Sequence, residues 1–232
     1  FEVRMRLFEI YSNSISDELK LFLEEEEDFN FEVEKTVLEM MNNIKKNKFE
    51  AVKEYSKNFD NFELDGNNFK VKKDEIELLA QRIDPKLKES FSLAIERVKI
   101  FHSKQIQNDF QFKDSDNNVM GQKIIPLDSV GIYIPGGRAL YPSTIYMTII
   151  PAIIAGVKRI VVFSPPRTFT ESKEACFLLS ELGINEIYRI GGAQAILSAA
   201  IGLPNLPKVD KVVGPGNIFV ATAKKLVYGK VD

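Results

Sequence analysis

Cysteine, histidine and net charge are all scarce in this chain. A single cysteine, Cys176, excludes an internal disulfide and fits a reducing compartment. A single histidine, His102, excludes a metal centre built on several imidazoles within these residues. The 31 basic and 33 acidic residues leave a formal net charge of -2, so bulk charge points neither to nucleic acid nor to a membrane surface. No apolar run reaches the roughly 18–20 residues of a membrane span. The first residues also lack a charged stretch followed by an apolar core. These absences read as a globular, cytoplasmic protein. The usual dinucleotide fingerprint, Gly-x-Gly-x-x-Gly with an acidic residue about 20 positions later, is missing too.

What is present begins with helices. The chain has 232 residues, 44% of them hydrophobic, which is enough for a real core in one large or two ordinary domains. From Met5 to about Gln105, apolar residues recur at three- and four-residue spacings, notably over Ser14 to Leu23, Phe31 to Lys46 and Phe49 to Phe59. The acidic run Glu24 to Glu27 reads as a solvated helix face. Leu64-Asp65-Gly66 marks a turn, and Phe69-Lys70-Val71 reads as a short extended piece. Asp84-Pro85 is a stronger boundary, because Asp caps well and Pro suits the first helical position; a helix should run from Pro85 to about Gln105. Phe110 to Ile125 then has the alternation and polar turn of a β-hairpin. A composition shift near Asp128 divides the chain into 1–128 and 129–232.

After that shift, strand-like runs recur roughly every 25–30 residues: Val130 to Ile134, Arg159 to Phe163, Glu186 to Ile190 and Lys211 to Val213. Helical stretches separate them at Ser143 to Gly156, Thr168 to Leu182, Ala193 to Ala200 and Asn217 to Tyr228. Ser143 or Thr144 fits a cap, Thr168 with Glu171 fits a capping box, and Gly183 fits a C-terminal stop. Pro151 should kink or split the first of these helices. Strands alternating with crossover helices imply an α/β fold built on a parallel sheet.

Three glycine turns follow strands: Pro135-Gly136-Gly137, Gly191-Gly192 and Gly214-Pro215-Gly216. In a parallel sheet all three gather along one edge, where ligands bind. Their neighbours Tyr133, Gln194 and Asn217 are therefore candidate contacts for a nucleotide. Each also has a plainer reading: Gln194 and Asn217 as helix caps or turn residues, Tyr133 as a space-filler beside the sheet. Cys176 lies mid-helix and reads as a small core residue, and His102, beside Ile100 and Phe101, reads as structural. No acid–base or nucleophile constellation is visible.

The segments Val130 to Gly137, Tyr141-Pro142-Ser143, Pro151-Ala152, Ser164-Pro165-Pro166, Gly191 to Ile196, Pro207 to Lys211 and Gly214 to Asn217, with Phe101-His102 and Gln105 upstream, resemble the histidinol dehydrogenase family in sequence and in order. The resemblance implies an incomplete Rossmann-like, NAD-binding sheet domain at 129–232. The mainly helical region and hairpin at 1–128 would be part of the first large domain. It implies a zinc-dependent homodimer of histidine biosynthesis that oxidises L-histidinol to L-histidine through the aldehyde with two NAD. It carries the NAD contacts onto Tyr133, Gln194 and Asn217. The zinc ligands, the proton-handling glutamate–histidine pair and most substrate contacts of the family lie beyond the equivalent of Asp232. The resemblance thus assigns no catalytic and no metal residue to this chain, and implies that it is inactive alone, with apolar surface exposed before Asp128. Two other readings remain: an aldehyde-dehydrogenase-like enzyme using Cys176, and a non-catalytic nucleotide-binding module.

Overall fold

The structure, a computed structural model, describes residues 17–136 and 141–232; side chains at 17, 18 and 20–29 lie outside the description. Gly137, the helical onset expected before Asp17 and the solvated face expected at Glu24 to Glu27 therefore fall outside it.

The amino-terminal half is helical as its periodicity requires: α1 (Asp17–Asn47), α2 (Phe49–Asp60), α3 (Lys73–Ala80) and α4 (Pro85–Ser103). The two periodic stretches of α1 merge into one helix of 31 residues, because no glycine or proline interrupts them. Its buried stripe is Val33, Val37, Met40, Met41 and Ile44. Asn61, in the left-handed region at φ 49°, closes α2. Asp84 caps α4 by accepting from Lys86 N at 2.9 Å and Leu87 N at 3.3 Å.

A short antiparallel hairpin follows, β1 (Phe110–Lys113) and β2 (Val119–Gln122), exposed along its length. The Asp114 carboxylate fixes its turn, accepting from the backbone N–H of Asp116 and Asn118 at 2.9 Å each.

Four strands then build one parallel sheet: β3 (Ser129–Tyr133), β4 (Arg159–Ser164), β5 (Glu186–Arg189) and β6 (Lys211–Val213), in the order β5-β4-β3-β6. The chain steps outward from β3 to β5 and then returns to the far side of β3. The order therefore reverses there, as in doubly wound sheets. Successive residues face opposite cores. Tyr133, Val161, Phe163 and Tyr188 pack with α1, α8 (Gly192–Ile201) and α9 (Ile218–Val227). Val130, Ile132, Val162 and Ile187 pack with α5 (Pro142–Ile154) and α7 (Lys173–Glu181). The extended piece at Phe69–Val71 runs antiparallel along β5, with Val71 N donating to Ile187 O at 2.9 Å and Arg189 N to Phe69 O at 3.0 Å.

Three local expectations are corrected. Of the kink or split expected at Pro151, the split does not occur: α5 runs on through it to Ile154, one turn further. That helix starts with Tyr141 at its N-cap position, without a side-chain capping bond, and Pro142 at its first position, so neither Ser143 nor Thr144 is its cap. The stretch from Thr168 is broken into α6 (Thr168–Glu171) and α7, because Ser172 leaves helical geometry to cap α7, its Oγ accepting from Ala175 N at 3.1 Å. The Thr168 hydroxyl is instead bonded to Ser164 Oγ at 2.9 Å. Gly183, at φ 71°, does end α7.

Candidate functional site

The strands leave the sheet through turns that a side chain would block. A Cβ at Gly214, whose φ is 116°, would lie 2.1 Å from the Tyr133 carbonyl oxygen. Gly192, at φ 59°, opens α8, and a Cβ there would meet Gln194 Oε1 at 2.7 Å. Both positions favour glycine for conformation, and Gly214 demands it for space as well because the atom a Cβ would strike is backbone. Lys224, on α9, donates its ammonium to the Gly214 carbonyl oxygen and so ties that helix to the turn after β6. Burial holds the Lys224 amine below its ordinary pKa.

These turns form one wall of a cleft of about 530 Å³, within the roughly 300–1,000 Å³ of small-ligand sites. Tyr133, Gly136, Pro165, Gly192, Gln194 and Asn217 line that wall, so turns following all four strands contribute. The helical half supplies the opposite wall through Thr36 and Met40 of α1 and Phe59 and Asp60 of α2. The three residues singled out from the sequence are thus brought together.

They are not equivalent. The Tyr133 ring is only 5% exposed and packs in the core, so its offering at the turn is the hydroxyl, which accepts from Gly192 N at 3.1 Å. Burial raises its pKa; the Gly192 hydrogen bond opposes the shift, and the Asp60 charge adds to it. Gln194, 2% exposed, stands on the first turn of α8. Asn217 is exposed and is the N-cap of α9, its Oδ1 accepting from Val220 N at 3.1 Å. The capping role therefore coexists with a place on the cleft.

Sequence reasoning missed Asp60, Phe59 and Phe219. Asp60 Oδ2 is buried without a hydrogen-bond partner, and burial pushes its carboxyl up to about 6. Phe59 and Phe219 bring aromatic rings to the cleft from α2 and α9. Phe59 remains exposed while stacking on Tyr55, centroids 5.8 Å apart. The only advance signal was that an acidic residue closes the amphipathic α2.

Other candidates lie elsewhere. His102 does not line the cleft; its Nδ1 is 2.6 Å from Gln105 Oε1. Cys176 is fully buried in α7, and burial pushes its thiol up to about 11. The aldehyde-dehydrogenase-like reading required that thiol exposed beside the cleft, and its burial overturns it. Among the described residues, no group of three or more His, Cys, Asp and Glu side chains is placed to hold a metal ion.

The opposite, amino-terminal edge of the sheet is fastened by polar bonds. Arg159 holds Glu186 at 2.6 and 2.9 Å and also donates to the carbonyls of Pro207 and Lys208. Asp210 Oδ2 accepts from Ser129 N at 2.8 Å and Ser129 Oγ at 2.7 Å. Glu186 is held below its ordinary pKa by Arg159, against the opposing effect of burial.

Comparison with known proteins agrees from sequence and from shape. The family model of histidinol dehydrogenase matches residues 23–232. Histidinol dehydrogenase of Methanococcus maripaludis is 47% identical over 199 residues, spanning 85% of this chain and 46% of that protein. That of Aquifex aeolicus is 43% identical over 202 residues, spanning 87% and 46%. The crystal structure of histidinol dehydrogenase from Elizabethkingia anophelis superposes with a TM-score of 0.79 at 31% identity, over 84% of this chain and 45% of that one. The chain thus spans about half the length of the relatives it matches. Because the match runs unbroken through the helical wall, the hairpin and the sheet, the chain belongs to the histidinol dehydrogenase family.

Proposed function

We propose that this chain is the NAD-binding portion of an enzyme that oxidises L-histidinol to L-histidine through the aldehyde. The observation that carries the reading is the convergence of Tyr133, Gln194 and Asn217 on one cleft at the carboxyl ends of a parallel sheet. When bound, NAD supplies the hydride acceptor. The cleft has features that suit it. The Gln194 and Asn217 amides offer donors for ribose hydroxyls or a base edge. The first turns of α8 and α9 bring N–H groups and positive dipole ends toward a pyrophosphate. Phe59 and Phe219 offer apolar faces for a base, and the glycines at 136 and 192 keep the backbone bare where a ligand must come close.

The zinc that the family implies finds no fitting donor set among the described residues. We assign its ligands, the proton-handling pair and most substrate contacts to protein outside this chain, which alone would bind NAD without turnover. We also assign the complete enzyme to a cytoplasmic homodimer. The free, buried Cys176 fits a reducing compartment. Phe110, Phe112, Val119 and Ile125 leave apolar surface that a second subunit would cover. No helix among the described residues is long and apolar enough to cross a membrane.

Calorimetric titration of NAD into the purified protein tests the reading. Binding should be measurable and should weaken about tenfold in Gln194→Ala, the loss of one to two hydrogen bonds. Undetectable binding, or equal affinity in the variant, would remove the cofactor site. Sustained NADH formation from histidinol by this chain would remove the claim that it cannot turn over alone.

A further inference from the structure

Asp60 presents an unsatisfied group to the cleft. It ends α2, lines the wall facing the strand exits, and buries Oδ2 with no hydrogen-bond partner. A Cβ added at Gly191 would lie 3.1 Å from its Oδ1, so the turn between β5 and α8 packs directly on the carboxylate. Among the described residues no lysine or arginine lines the cleft, and the titratable neighbour, on the facing wall, is the Tyr133 phenol. A carboxylate held this way is unfavourable in the free protein, and a native structure retains such a group where something else satisfies it.

The chemistry of the missing partner is constrained. Two carboxylate oxygens call for hydrogen-bond donors, and a vicinal diol supplies two at matching separation. An anionic ligand group would be repelled. Ordinary dinucleotide folds place an acidic residue about 20 positions after the first glycine turn to take the ribose hydroxyls. This chain lacks that fingerprint in its sheet half, yet α2 carries a carboxylate to the Gly191-Gly192 turn.

Resting on the NAD reading above, we propose that Asp60 accepts hydrogen bonds from the adenosine ribose diol and excludes a 2′-phosphate there, setting the preference for NAD over NADP. The acidic group of the ordinary fold is thus supplied from the helical layer. Asp60 is a specificity-determining residue and takes no part in hydride transfer.

The test is calorimetric affinity of the purified protein for NAD and NADP, in wild type, Asp60→Asn, Asp60→Ser and Gln194→Ala, with thermal melting of each. Wild type should bind NAD at least tenfold tighter than NADP. Losing a charged acceptor should weaken NAD binding by about 10–100-fold in D60N and D60S. NADP affinity should hold or improve, so that the ratio approaches one, most closely in D60S. D60N should melt no lower than wild type. An unchanged NAD/NADP ratio in both variants overturns the inference, whether the two affinities fall together or stay put. If wild type binds no NAD, the cofactor reading and this inference fail together. If Gln194→Ala weakens NAD while D60N and D60S leave the ratio unmoved, this inference alone fails.

Discussion

Asn217 carries two roles that substitution can separate. Its Oδ1 caps α9 through Val220 N at 3.1 Å, while the residue also lines the cleft. Asn217→Ala removes the cap, which costs about 1 kcal/mol; in a chain of this size that lowers Tm by about 2–4 °C. Asn217→Asp keeps an acceptor for Val220 N and adds a negative charge at a helix N-terminus, worth about 0.3–1 kcal/mol in favour of folding. Its Tm should therefore equal or exceed that of wild type. For NAD the order changes. Both variants lose the amide donor, a neutral hydrogen bond of about 0.5–1.5 kcal/mol, or about 2–12-fold in affinity. The aspartate also opposes the pyrophosphate charge, so it should bind NAD more weakly than the alanine variant. Thermal melts followed by calorimetry on the same samples read both effects. If Asn217→Asp melts as low as Asn217→Ala, the capping account is wrong; if it binds NAD like wild type, the amide is not a contact.

Gly214→Ala should lower the urea midpoint strongly, since the backbone conformation alone costs about 1–3 kcal/mol and the new Cβ strikes the Tyr133 carbonyl; a wild-type midpoint would contradict the geometry. Arg189, 3% exposed, is held by Glu75 at 2.5 Å and by the Asn68 carbonyl at 2.9 Å. Glu75→Ala should cost about 2 kcal/mol in urea unfolding, less than the roughly 3–5 kcal/mol of a fully buried pair because Glu75 is 40% exposed; no loss would count against the pair. Asp60 titrates near 6 in the folded protein, above its unfolded value of 3.8. Its carboxylate therefore withdraws stability as pH rises from about 4 through 6. Asp60→Asn should raise Tm above pH 6 and match wild type near pH 4, and an equal gain at both would refute the burial of the charge. Iodoacetamide should leave Cys176 unmodified in the native protein and alkylate it fully in guanidinium, because the thiol is buried and shifted up to about 11.

The sheet was readable because parallel strands buried on both faces consist of near-continuous apolar runs, such as Ile160-Val161-Val162-Phe163, and because glycines mark their exits. Residues at those exits could be named without knowing how the strands were ordered, since all parallel strands end on one side. The helical wall was different. Asp60 reaches the cleft because α1 packs on α8 and α9 and α2 packs on both α1 and α8, contacts between distant parts of the chain that leave no local pattern. Local rules also competed. Thr168 and Glu171 satisfy a capping pattern, but Ser172 lies closer to the buried run Ala175 to Leu179, and Ser164 claims the Thr168 hydroxyl. Pro151 carries a helix-breaking signal whose effect depends on its distance from the helix end, here one turn.

The central claim is that the cleft between α2 and the strand exits receives NAD. A crystal structure of the protein grown with saturating NAD tests it most directly. The account predicts ordered nucleotide in the cleft, with the Gln194 and Asn217 amides within hydrogen-bonding distance of it. Nucleotide ordered elsewhere on the protein, with this cleft filled only by solvent, would contradict it.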